Sequence, residues 1–194
     1  MATMPRPRLT PEEYLELERK AEYKSEYYDG EMFAMTGAGR AHNLIAGNVG
    51  SALHGQLRHR SCEVYSSDMR VRVSTTGIYT YADVVVVCGR PEFADNEMDS
   101  LVNPTVLVEV LSPSTEAYDR GRKFEHYRKI ESLRQYLLVS PERVSVELFT
   151  RQAGGQWLLS SAAGLEEELD LESIECRLRV EDIYEKVEFD VERK

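Results

Sequence analysis

Two carboxylates stand where neighbouring residues lead one to expect hydrocarbon. Asp83 immediately precedes four consecutive valines, and Glu109 lies inside Val106-Leu107-Val108-Glu109-Val110-Leu111. An ionised carboxylate taken out of water is costly unless it is paired, hydrogen-bonded or bound to a metal. Either acid alone has a plain explanation: Asp83 as a turn cap, Glu109 as the partner of Arg70 or Arg72. One in each of two apolar runs, 26 residues apart, suggests two central strands that bring both acids to one end of a sheet. Two carboxylates and a main-chain carbonyl would form a hard, oxygen-rich site for Mg²⁺ or Mn²⁺.

The chain then runs through Ser112-Pro113-Ser114-Thr115-Glu116-Ala117-Tyr118-Asp119-Arg120-Gly121-Arg122-Lys123. Asp119 and Lys123 are four apart, the spacing of a surface helix pair. The alternative turns Lys123 toward the carboxylates, where an ammonium could orient water and stabilise charge on a phosphate under attack. Arg120, Arg122, Arg128 and Lys129 add positive charge suited to phosphate contacts or to a solvated helix face.

The elements that must position these residues are legible in outline. Thr10, Pro11 and Glu13 form a capping box with proline at the first helical position, flanked by Leu9 and Tyr14 as a staple, and predict a helix to about Tyr23. Tyr27 to Phe33, aromatic on both sides of Asp29-Gly30, predicts a tight hairpin. Residues 40–59 carry Leu44, Ile45, Val49, Ala52, Leu53 and Leu57 at helical spacing, with Gly47, Gly50 and Gly55 allowing close backbone approach. Met69, Val71 and Val73 alternate with Arg70 and Arg72, a half-buried strand with a cationic outer face. Tyr81 to Cys88 and Thr105 to Leu111 read as strands buried on both faces. Glu116 to Ile130 reads as a helix, Gln135 to Val139 and Val144 to Phe149 as strands, Trp157 to Leu159 as an edge strand, and Val180 to Val187 as a short helix. The pattern is one α/β domain around a mixed sheet.

Composition narrows the classes. The 194 residues carry a formal charge of −10, with twelve acids against five bases in residues 166–194, an acidic C-terminal extension. That balance argues against strong nonspecific nucleic-acid binding but leaves the main body free to carry a local basic face. No apolar stretch is long enough to span a membrane, and Met1 to Leu9 lacks the apolar region of a secretory signal. Three cysteines without a C-x-x-C spacing disfavour a disulfide framework or structural zinc and fit a reducing cytoplasm, with Cys88 as a small buried hydrophobe.

The segments Tyr81 to Val87, Leu107-Val108-Glu109-Val110-Leu111-Ser112-Pro113-Ser114-Thr115 and Asp119 to Tyr127 resemble the Uma-type family of restriction endonucleases, within the PD-(D/E)-x-K nuclease superfamily. The likeness extends from the first helix through the strand at Val144, and its specific part is the Glu-Val-Leu-Ser-Pro-Ser-Thr block. It implies a restriction-endonuclease-like fold: a mixed central sheet flanked by helices, with an N-terminal helix and hairpin. It makes Asp83 and Glu109 the metal-binding acids, the Val110 carbonyl a third ligand and Lys123 the catalytic lysine. Ala82 replaces the superfamily's proline, and Leu111 its lysine two residues after the glutamate, so activity depends on Lys123 reaching the site. The resemblance also singles out Glu31 as a helper acid and His42 for a phosphate contact, proton transfer or a structural role. It sets Tyr127 and Gln135 near each other around the site.

The resulting expectation is a Mg²⁺- or Mn²⁺-dependent DNA endonuclease, cytoplasmic and homodimeric, with water attacking phosphorus in line. The alternatives are an inactive nuclease fold serving as a nucleic-acid-binding or protein-interaction module, and a glycosidase using Asp83 and Glu109 as its acid/base pair.

Overall fold

The computed structural model describes residues 8–189. The signal-peptide expectation for the first residues falls almost entirely outside that range.

Helix α1 (Pro11–Glu18) begins as its sequence dictates. Thr10 accepts the Glu13 amide, and the Glu13 side chain accepts the Thr10 amide. It ends earlier than expected, and Arg19 at its C-cap is drawn to Asp95 and Asp99 at 2.7 and 2.8 Å. The hairpin of β1 (Ser25–Tyr28) and β2 (Glu31–Ala34) turns on Asp29 and Gly30, whose φ values of 48° and 84° are the left-handed pair a tight hairpin needs. A side chain at Gly30 would also collide with Arg8.

Helix α2 (Arg40–Leu57) buries Ile45, Val49, Leu53 and Leu57. Of its glycines, only at Gly50 would an added Cβ find a neighbour within 4 Å, the Val84 side chain at 3.8 Å, an ordinary contact. The close approach expected at Gly47 and Gly55 does not occur.

Two main sheets follow. One has the order β2-β1-β5-β4-β7, adding β4 (Arg70–Val73), β5 (Ile78–Tyr81) and β7 (Ser100–Leu101). The other has the order β11-β10-β9-β8-β6-β3, built from β3 (Cys62–Ser66), β6 (Val84–Cys88), β8 (Val106–Val110), β9 (Gln135–Val139), β10 (Val146–Arg151) and the edge strand β11 (Trp157–Ala162). It is mixed: β8 runs parallel to β9 and antiparallel to β6. Val84, Val86, Val106, Val108 and Val110 pack against α2 on one face, while Val85, Val87, Leu107 and Tyr136 join a second cluster on the other. The valine-rich strands are therefore continuous runs because both faces are covered.

Three expectations need correction. The segment beyond residue 165 is not a mere acidic appendage. Within residues 166–189 it includes β12 (Glu168–Leu171), β13 (Cys176–Arg179) and α5 (Val180–Ile183), and Leu169, Leu171, Ile174, Leu178 and Ile183 belong to the core under α2. Its acids alternate outward from that apolar face. Arg70 is not on a solvated cationic face: it is buried at 5% exposure, with its guanidinium over the rings of Tyr14 and Tyr81 and bonded to the Tyr81 hydroxyl. Cys62 and Cys88 are joined as a disulfide, because the antiparallel register of β3 and β6 sets them opposite one another. Cys176 is free and buried.

Candidate active site

The β6–β8 register pairs Val84 with Val108, so one further step brings Asp83 opposite Glu109 at the end of the sheet. Asp83 does not cap a turn in isolation. Its Oδ2 accepts the amide hydrogen of Val110 at 2.7 Å. His42, from the first turn of α2, places Nε2 3.3 Å from the same oxygen. Although burial opposes protonation, the Asp83 carboxylate holds the imidazole pKa above the usual value. Helix α2 thus reaches the site from one face of the sheet.

The other face supplies the lysine. The expected helix over 116–130 runs without interruption from Glu116 to Tyr127, with a π-turn over Asp119–Lys123 set between α3 (Glu116–Tyr118) and α4 (Phe124–Tyr127). Single π-turns inside helices recur at functional sites. Here the turn buries both Asp119 and Lys123. Asp119 and Lys123 are not a surface pair. Lys123 Nζ lies 2.9 Å from Glu109 Oε1, 3.0 Å from Glu26 Oε1 and 3.8 Å from Asp119, and donates to the Tyr81 carbonyl at 3.1 Å. Burial by itself would pull its pKa down, but the Glu109 carboxylate, with Tyr127, Glu26 and Asp119, more than reverses this and keeps it an ammonium. For Glu109 burial raises the pKa, and the ammonium opposes that rise. Tyr127 completes this wall, its hydroxyl donating to Glu109 Oε1 at 2.9 Å.

Other expected residues fall elsewhere. Glu31 is exposed in β2 and meets none of this cluster; the acid the hairpin contributes is Glu26, in the paired strand. Glu26 is buried, and its carboxylate also accepts from the Thr80 and Tyr118 hydroxyls. The sequence signal was available in kind: an acid beside aromatic residues in a strand, the same anomaly that exposed Glu109. Gln135 is not beside Tyr127's hydroxyl. In the parallel β8–β9 register it faces Val106, whereas Glu109 faces Leu138. Its amide donates to the Asp170 carbonyl at 3.2 Å and accepts from Ser173 Oγ at 2.6 Å, tying β9 to the C-terminal hairpin. Arg120 is neutralised by Glu116 and Glu147. Arg122 stacks over the Tyr28 ring at 4.7 Å and makes no ion pair among the described residues.

The profile of a family described as "Putative restriction endonuclease", Uma2, matches residues 11–181. The chain belongs to the Uma2 family. Two uncharacterised Synechocystis relatives agree over most of their length. One, slr1290, is 37% identical over 185 residues, covering 95% of this chain and 96% of that protein. The other, sll1609, is 36% identical over 162 residues, covering 84% and 92%. A crystal structure of a putative nuclease belonging to DUF820, from Anabaena variabilis, superposes with a TM-score of 0.73 at 18% identity, covering 91% of this chain and 97% of that one. At that identity the match establishes the fold. For a Uma2 protein with this fold, a nuclease is the supported class of enzyme. No helix among the described residues is long and apolar enough to cross a membrane.

Proposed function

We propose that this Uma2 protein is a Mg²⁺- or Mn²⁺-dependent endonuclease that hydrolyses DNA phosphodiester bonds at Asp83, Glu109 and Lys123. The observation that carries the reading is the Lys123–Glu109 ion pair at 2.9 Å, with Asp83, just before β6, set opposite Glu109 by the strand register. Among the described residues, no group of three or more His, Cys, Asp or Glu side chains is gathered closely enough to cage an ion. The donor set still suits Mg²⁺, which keeps several waters and is commonly held by one or two carboxylates. Every contact to Asp83 falls on Oδ2 and every contact to Glu109 on Oε1, leaving Asp83 Oδ1 and Glu109 Oε2 without a partner among the described residues. Those oxygens, with the Val110 carbonyl, would hold the ion, which when bound supplies an acidified water and charge neutralisation at phosphorus.

The chain's own residues divide the remaining work. The Val110 amide and His42 fix the orientation of Asp83; Tyr127 fixes that of Glu109. Lys123 brings a fixed positive charge to the place where a phosphate gains negative charge during attack. Arg122 is available for a backbone phosphate. A homodimer would offer two such sites, one per DNA strand, and sedimentation of the free protein tests it.

The test is nicking of supercoiled plasmid with Mn²⁺ or Mg²⁺. Wild-type protein is expected to nick and Asp83→Asn to fail, the amide keeping the Val110 hydrogen bond but losing the charge. Equal nicking by both would overturn the reading. One observation favours the second reading, an inactive fold used as a binding module: all three ammonium hydrogens of Lys123 have acceptors in this structure. Calorimetry separates the two, since a module without an ion site gives the same absence of Mn²⁺ heat in wild type and Asp83→Asn.

A further inference from the structure

An ammonium has three hydrogens, and Lys123 meets three close acceptors: Glu109 Oε1 at 2.9 Å, Glu26 Oε1 at 3.0 Å and the Tyr81 carbonyl at 3.1 Å. A lysine so saturated can touch neither water nor phosphate until one acceptor lets go. The three are not equivalent. The Tyr81 carbonyl belongs to the backbone at the end of β5 and cannot turn away. Glu26 is clamped: Thr80 donates to Oε1 and Tyr118 to Oε2 at 3.3 Å, and the residue is 9% exposed on a hydrogen-bonded strand. Glu109 has one oxygen free, and an ion held there would draw the carboxylate's charge away from the ammonium on Oε1. It is therefore the exchangeable partner.

We propose that Glu26 is the positioning residue for Lys123: with the Tyr81 carbonyl it holds the ammonium in place, so that only the hydrogen now given to Glu109 is released toward the reacting phosphate or water. The charge of Glu26 matters as well as its geometry. When Glu109 serves a divalent ion, the ammonium loses its nearest counter-charge and is repelled by that ion, and Glu26, aided by Asp119, is what keeps it at the site. This rests on the nuclease reading above.

Glu26→Gln is the decisive variant, because the amide oxygen can still accept from Thr80 while the charge is gone. The expected result is a loss of tenfold or more in kcat for plasmid nicking, with KM and Mn²⁺ affinity by calorimetry within about threefold of wild type. In metal-free crystals of the variant, Lys123 Nζ is expected to leave the Tyr81 carbonyl. Glu26→Asp, which keeps the charge but withdraws it, gives a smaller loss of the same kind and serves if the glutamine variant does not fold. A kcat within twofold of wild type, an equal loss in KM or metal affinity, or an unmoved ammonium in the crystal would each overturn the inference. Wild-type protein that never nicks would overturn the nuclease reading instead, and the ammonium's position in the variant crystal would still decide whether Glu26 holds it.

Discussion

Asp83 accepts the amide hydrogen of Val110 at 2.7 Å, so the carboxylate before one central strand is tied to the residue that follows the glutamate of its neighbour. The two acids are thereby fixed relative to one another by backbone. The lysine needs no such tie, because buried charge draws it in from a separate segment.

That charge balance predicts how the fold responds to losing Lys123. In Lys123→Ala, Glu109, Glu26 and Asp119 are left buried near one another without a cation, a defect worth about 3–5 kcal/mol. The sign with pH follows. Burial already raises the folded-state pKa values of Glu109 and Asp119, and without the opposing ammonium they rise further, so stability is present at low pH and lost as pH rises through them. Urea melts of the variant at pH 5 and pH 8 should show it markedly less stable at pH 8. A wild-type-like dependence would mean the acids are not coupled through Lys123.

His42 should act on the ion site. Removing a side chain that orients a metal-binding group usually weakens binding 10- to 100-fold. His42→Ala is expected to lose about tenfold in Mn²⁺ affinity by calorimetry. An unchanged affinity would leave the imidazole without a role at Asp83.

Gln135 should behave in the opposite way. Gln135→Ala leaves the Ser173 hydroxyl and the Asp170 carbonyl without their partner, a cost of about 1–3 kcal/mol. Denaturant melts are expected to register that loss while kcat stays at the wild-type value. Lost activity in a fully folded variant would return Gln135 to the site.

The disulfide makes a separate prediction. Thiol titration of native protein should find Cys62 and Cys88 unreactive until a reductant is added, and Cys176 reactive only on unfolding. Reduction should lower stability by about 2–4 kcal/mol in the chain-entropy picture of a cross-link. Two reactive thiols before reduction would show the pair open in solution.

Local events followed from residues close together along the chain. The capping box at Thr10, the Asp29-Gly30 turn, the buried stripe of α2 and the doubly covered valine strands are written in neighbouring residues, and each formed as its pattern required. Asp83 and Glu109 were conspicuous because a charge inside an apolar run is a local anomaly. Which strands lie side by side, and in what register, is a matter of long-range packing, and that choice made Cys62 the neighbour of Cys88, sent Gln135 to the C-terminal hairpin and put Glu26 rather than Glu31 against Lys123. Side-chain pattern reports which face is apolar, but partners distant along the chain are chosen by the combined burial of all the strands and helices, a property no single segment carries.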